Sequence, residues 1–327
     1  MKKVATFNKN EREELFLETA ARKGMQGAAI EKDFWICWAL MKLFEDDDLK
    51  ELFRFKGGTT LSKCFQVIDR FSEDIDLVLD WSVLTDEDPY EGRSNTQQDI
   101  FNKKLNKLAE DYIGRDLLPI LNGLMQPPCD ARVDSYDGQT VIIQYPKLFS
   151  GTYLRPEIRL EIGPISSMVP CSKYSIRPYA AEVFPEKFEN SFANVVSIVP
   201  ERTFWEKVTI LHVEAHRPAG KSHPARYSRH YYDVYKMLDT DIEMKGLKNL
   251  KLLDDVVNFK KRFYYSNWAK YDLATPRTIK LIPDESRLKS LMEDYEAMEE
   301  MIFGAYPTFD HIIDKLRAFQ KKLNELK

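Results

Sequence analysis

An α+β fold, with a small mixed β-sheet flanked by helices and a helical C-terminal region, is predicted by three observations. Asp74 to Trp81 (DIDLVLDW) and Ile158 to Gly163 (IRLEIG) alternate with a period of two, the mark of half-buried strands. The stretches before and after this region carry apolar residues at helical spacing. A glycine pair, Gly57-Gly58, stands between an apolar strand-like run and a helix-like run.

The elements follow in order. Residues 10–24 (NEREELFLETAARKG) and 28–47 (AAIEKDFWICWALMKLFEDD) read as helices. LFRF, 52–55, reads as a strand ending at the diglycine turn, where Gly58 is expected to need a positive φ. TTLSKCFQVI, 59–68, suits a short helix with the Thr59 hydroxyl as N-cap. In DIDLVLDW, Ile75, Leu77 and Leu79 share one face, and Asp74, Asp76 and Val78 the other. Residues 82–96 are polar and hold Pro and Gly, hence loop, and a long helix then runs to about Met125. ARVDSYDGQTVIIQYP, 131–146, is a hairpin pattern around Asp137-Gly138, and VVSIVP, 195–200, suits one more strand. After Pro200 the pattern is helical. The expected organisation is a core with N-terminal helices over 1–200 and a helical C-terminal domain over 201–327.

Composition narrows the function. The 327 residues are 43% hydrophobic, enough for a sizeable core and against disorder. No apolar run approaches the roughly 18 residues of a membrane span, and no apolar segment follows the N-terminal lysines, so neither a membrane protein nor a signal peptide is expected. The four scattered cysteines form no CxxC pair, which points to buried thiols and a reducing cytoplasm. A net charge of −4 argues against broad coating of nucleic acid and leaves room for a local basic patch. The segment 212–230, HVEAHRPAGKSHPARYSRH, is the best such patch, with four of the five histidines plus Arg217, Lys221, Arg226 and Arg229. Its histidines lack zinc-ligand spacing.

Chemistry is concentrated downstream of the glycines. A strand that packs Ile75, Leu77 and Leu79 inward turns Asp74 and Asp76 outward together, about 7 Å apart at their roots. Two carboxylates that close repel unless a cation lies between them. Mg²⁺ favours one or two carboxylates with water and phosphate oxygens, and Mn²⁺ could stand in its place. Glu161, on the outward face of IRLEIG, is the candidate third carboxylate for a pair of ions. The plainer alternative is that all three are solvated acids on an exposed sheet face. Backbone N–H groups at Gly57, Gly58 and Thr59 offer a seat for phosphate.

The stretch GGTTLSKCFQVIDRFSEDIDL resembles the first motif of the nucleotidyltransferase AbiEii toxin family, a branch of the DNA polymerase β-type nucleotidyltransferase superfamily. Arg70, Ser72, Asp74 and Asp76 match its Arg-x-Ser-x-Asp-hydrophobic-Asp pattern. EKDFWICWAL (31–40) is similar to the family's upstream helix, ERTFWEKVTILH (201–212) to its Glu-Lys helix, and SRHYYDVYKM (228–237) to its Asp-hydrophobic-Tyr segment. His230 stands where the family often has an acid.

The resemblance implies a polymerase β-like core and transfer of a nucleoside monophosphate from an NTP to an acceptor, with release of pyrophosphate. It implies that Gly57, Gly58 and Thr59 hold the triphosphate, with Arg70 and Ser72 bracing the loop or touching phosphate. Asp74 and Asp76, joined by Glu161, would bind Mg²⁺. Lys207 would neutralise triphosphate charge, and Asp233 would orient Lys207 or the acceptor. RNA such as a tRNA 3′ end is the implied acceptor. A cognate antitoxin encoded nearby, acting as a transcriptional repressor, is the implied partner in an abortive-infection or toxin–antitoxin system. Two other readings stay open from the residues: an NTP-binding effector without transfer, and a phosphotransferase acting on protein.

Overall fold

The computed structural model describes residues 1–149 and 154–326. Among these, seven strands form one mixed sheet: β1 (Phe53–Lys56), β2 (Asp74–Leu79), β3 (Asp130–Val133), β4 (Thr140–Gln144), β5 (Ile158–Gly163), β6 (Cys171–Ile176) and β7 (Ala193–Ile198). Their spatial order is β3-β4-β5-β2-β1-β7-β6. β2 runs parallel to β5 and β1 parallel to β7, while the other neighbours are antiparallel.

The sheet belongs to the first of two compact units, formed by Met1–Gln66, Phe71–Gly92 and Ile100–Ile198. Its helices are α1 (Lys2–Ala5), α2 (Lys9–Lys23), α3 (Gly27–Glu45), α4 (Leu49–Leu52), α5 (Gly58–Lys63), α6 (Asn95–Tyr112), α7 (Leu118–Met125) and α8 (Tyr179–Val183), α6 beginning in a segment grouped with the second unit. A capping box between Asn8 and Glu11 starts α2, and Gly24 in the left-handed region ends it. The apolar α3 is buried almost all round and packs on α2, β7 and β5. Trp35, Trp38 and Phe34 from α3, with Ile75, Leu77, Leu160 and Ile162 from the sheet, are core residues.

The second unit comprises Val67–Arg70, Arg93–Asp99 and the residues from 199 onward. It is helical, with α9 (Pro200–Ala215), α10 (Arg229–Met237), α11 (Asp241–Lys248), α12 (Leu250–Phe263), α13 (Glu285–Glu296) and α14 (Phe309–Asn324). Pro200 opens α9 at its first position, where its missing N–H costs nothing. α9 packs against α10, α11 and α12, and α10 against α14. Among the described residues no helix is long and apolar enough to cross a membrane.

Three local expectations need correction. The helix after the diglycine ends at Lys63 and does not reach Ile68. Thr59 does not cap it: Gly57 occupies that place, and the Thr59 hydroxyl turns inward to the Asp74 carbonyl. The positive φ falls on Gly57 (84°), while Gly58 is the first helical residue. One strand, β6, escaped the sequence reading because it lies at the sheet edge and CSKYSI carries no apolar alternation.

Candidate active site

The register of the sheet decides which side chains meet. Across the parallel pair β2–β5, Asp76 lies opposite Glu161 and Asp74 opposite Arg159. Across the antiparallel pair β1–β2, Lys56 lies opposite Asp76. Side chains directly opposite share a face and stand about 5 Å apart at their roots. Lys56, Asp76 and Glu161 therefore form one row across three strands, and Asp74 and Arg159 a second row beside it. Asp74, Asp76 and Glu161 share the face that the alternation assigned to them. Lys56 was not singled out from the sequence, although Phe53 and Phe55 pointing inward already turn Arg54 and Lys56 outward.

Charge around this face is partly matched. Arg159 pairs with Asp134 and lies 3.9 Å from Glu161. Lys56 Nζ donates to Ser166 Oγ (3.2 Å). The Asp74 atom Oδ1 is buried and has no hydrogen-bond partner among the described residues. Burial pushes the Asp74 carboxyl above its usual range, and the neighbouring Glu73 and Asp76 add to this against the pull of Lys32.

Gly57 brings the backbone close. It has φ 84° and ψ −158°, and an ideal Cβ there would lie 1.9 Å from Asp76 Oδ2. Only glycine lets the turn meet the carboxylate this closely. Thr59 is buried, and its hydroxyl donates to the Asp74 carbonyl at 2.5 Å, which ties α5 to the start of β2. Thr60 donates to the Gly57 carbonyl (2.8 Å) and stiffens the turn. Ser72 is half-buried in the segment leading into β2.

The first turns of α3 supply three buried charges that the sequence marked only by resemblance. Glu31 accepts from the N–H groups of Leu148 (2.8 Å) and Phe149 (3.1 Å). Lys32 donates to Glu73 Oε2 (2.8 Å) and to the Arg155 carbonyl (3.0 Å). Asp33 accepts from Lys63 Nζ (2.6 Å) and the Tyr179 N–H (2.7 Å). One helix end thus holds five segments of the first unit: the residues after β4, those before β2, those before β5, α5 and the start of α8.

Within the second unit, Asp233 is fully buried and serves two cations. Arg70 grips it with two bonds of 2.7 Å, and Lys207 lies 2.8 Å from Oδ2. Burial alone would raise the Asp233 carboxyl, but Arg70 and Lys207 outweigh it and hold it well below the carboxylate range. Burial lowers the Lys207 ammonium, with Arg70 and Arg229 adding to that and Asp233 opposing it. His230 Nδ1 lies 3.5 Å from Lys207 Nζ, and burial together with that charge keeps its imidazole neutral. The segment 212–230 is less open than its composition implied. His212 is buried, Arg217 pairs with buried Glu214 and lies over the Trp268 ring (5.0 Å), and Lys221 lies over the same ring (5.5 Å).

No three His, Cys, Asp or Glu side chains among the described residues are gathered tightly enough to hold a metal ion. The carboxylate face of the first unit nevertheless fits a hard divalent cation in its donor chemistry: all its candidate ligands are oxygens, and one of them is buried with no hydrogen-bond partner among the described residues.

The family comparison agrees with the motif reading. The family described as Nucleotidyl transferase AbiEii toxin, Type IV TA system, matches residues 38–324. Among solved structures the chain is similar to MenT4, nucleotidyltransferase toxin Rv2826c from Mycobacterium tuberculosis H37Rv, at 14% identity and a TM-score of 0.48, covering 94% of this chain and 97% of that one. Comparison with curated proteins gives no match. With a family match over nearly its whole length, the chain belongs to the AbiEii nucleotidyltransferase toxins of type IV toxin–antitoxin systems, which makes it a nucleotidyltransferase with a nucleotide substrate and an antitoxin partner.

Proposed function

We propose that the chain transfers a nucleoside monophosphate from an NTP to an RNA acceptor such as a tRNA 3′ end, in the cytoplasm, and that the reaction needs Mg²⁺ or Mn²⁺. The observation that carries this reading is the placement of Asp74 and Asp76 on one sheet face, in register with Glu161, against the tight turn at Gly57. In the transfer, an acceptor hydroxyl oxygen bonds to the α-phosphorus as the bond from that phosphorus to the α,β-bridging oxygen breaks. The hydroxyl proton passes to solvent and pyrophosphate leaves.

Asp74, Asp76 and Glu161 would hold the divalent ion, which when bound supplies positive charge to phosphate oxygens that repel an incoming nucleophile. The chain's own groups do the rest. Backbone N–H groups at Gly57 and Gly58 would receive triphosphate oxygens, because the missing side chains leave the backbone open to them. The inward bond of Thr59 holds that backbone in place. Lys56, beside Asp76, adds a cation on the same face. Lys207, held 2.8 Å from Asp233, would serve as the counter-charge for the triphosphate that the family resemblance implies. Arg70 braces through its grip on Asp233. The antitoxin partner would act as a transcriptional repressor of its own locus.

Incubation with each α-³²P-labelled NTP, Mg²⁺ and total RNA tests the reading. Wild type is expected to label a discrete RNA species and release pyrophosphate, and Asp76→Asn is expected to do neither. Equal labelling by both proteins would remove Asp76 from the chemistry. Label passing to protein from γ-³²P-labelled NTP alone would replace the reading with phosphotransfer.

A further inference from the structure

We infer that Lys32 is a positioning residue for the carboxylate face: its ammonium joins the segment leading into β2 to the segment leading into β5, and so fixes which way Asp74 and Asp76 point. The inference rests on the reading of those carboxylates as cation ligands. Lys32 is 1% exposed, near the base of the apolar helix α3. Lysine is almost never buried to this degree unless paired, and an apolar residue of similar size at such a site is often as stable or more so. Stability alone therefore gives a weak reason for a lysine here.

Its partners give a stronger one. Lys32 Nζ donates to Glu73 Oε2 at 2.8 Å and to the Arg155 carbonyl at 3.0 Å. Glu73 Oε2 also accepts from the Arg155 N–H at 3.3 Å, so the three groups close on one another. Glu73 is the residue immediately before Asp74, and Arg155 stands three residues before the first residue of β5. In an extended chain successive side chains point to opposite sides, and a slip of one residue exchanges the faces. Drawing Glu73 inward to α3 thus turns Asp74 outward, and Asp76 with it. Holding Arg155 at the same point sets the start of the strand that carries Glu161 beside Asp76. The buried pair Lys63–Asp33, one residue further along α3, ties α3 instead to α5 and to the Tyr179 N–H.

The test uses the full chain and reads Mn²⁺ binding without nucleotide, by titration of the free-Mn²⁺ electron paramagnetic resonance signal, beside the melting temperature. Outer partners that orient metal ligands typically change affinity about 10- to 100-fold when removed. Lys32→Met is expected to weaken Mn²⁺ binding about tenfold or more, and Lys32→Arg, which keeps charge and donors, to recover part of it. Leu121→Ala, a buried change in α7, is expected to lower the melting temperature while leaving Mn²⁺ affinity unchanged. Should Lys32→Met not fold, Glu73→Gln decides on the same criterion. Wild-type affinity in Lys32→Met, or an equal loss in Leu121→Ala, overturns the inference alone. Failure of the wild type to bind Mn²⁺ overturns the reading of the carboxylates and this inference with it.

Discussion

The Asp76 carboxylate occupies the space that any side chain on Gly57 would need, with an ideal Cβ 1.9 Å from Oδ2. Gly57 itself has φ 84°, a region costly for a residue with a Cβ. Gly57→Ala therefore meets two obstacles: the clash displaces the Asp76 carboxylate, and the positive φ strains the turn that holds it. A misplacement of about 1 Å at a reacting centre can cost roughly a hundredfold in rate. Initial rates of labelled nucleotide incorporation should fall by about that factor. Gly58→Ala, at the first residue of α5, should lose less. Equal losses would mean that the close approach at Gly57 has no special part in activity.

Asp74→Asn separates activity from stability. Its carboxyl is raised by burial and by Glu73 and Asp76, so the charged form is under strain without a cation. The amide removes that charge while nearly keeping the shape. Thermal melts without divalent ion should show Asp74→Asn at or above the wild-type temperature, while transfer falls by roughly 100-fold or more, the scale of losing one electrostatic contact to reacting phosphate. A clear drop in melting temperature would show that Asp74 holds the fold together.

How much of this was readable in the residues differs from one part to the next. The outward face of DIDLVL and IRLEIG could be read because a period of two fixes the side on which each residue lies. The pairing of Asp76 with Glu161 could not, since register between strands more than eighty residues apart depends on the whole sheet. Lys56 was within reach of the same alternation, but a four-residue strand gives the period little length to show. Lys32 lay hidden for another reason: within an apolar helix a charged residue resembles a misplaced surface residue until its partners, Glu73 and Arg155, are known. Thr59 was misjudged because a hydroxyl beside a helix start has two uses, and here the Asp74 carbonyl takes it.

The node around Asp233 predicts unequal costs for its members. Asp233 neutralises both Arg70 and Lys207 in a fully buried place, so Asp233→Asn leaves two buried cations short of an acid. Breaking a buried pair this way typically costs about 3–5 kcal/mol. Lys207→Met leaves the two-bond grip of Arg70 on Asp233 intact, and its stability loss should be clearly smaller. Urea denaturation of the two variants gives the comparison. If Lys207→Met stays folded yet loses transfer, the lysine acts in chemistry. If both variants lose equal stability, the two cations share the acid as equals.

Buried histidines give the second unit an acid sensitivity with a defined direction. His212 Nε2 donates to the Lys270 carbonyl (3.0 Å), while Nδ1 accepts from the Lys280 N–H (3.1 Å). A proton on Nδ1 would break the second bond and bury a charge, and burial is the main cause that lowers the imidazole to about 4. In the unfolded chain the ordinary value is about 6.5. Between these two values the unfolded state binds more protons, so stability is full above about pH 6.5 and is lost as pH falls toward 4. The slope is about 1.4 kcal/mol per pH unit, or about 2 kcal/mol between pH 6.5 and 5 for this residue. His230, also held neutral by burial, acts in the same direction. Urea denaturation at pH 7, 6 and 5 should show the loss in wild type and a shallower slope in His212→Gln, whose amide does not titrate. The same slope in both proteins would mean that His212 protonates in the folded state as easily as in the unfolded one.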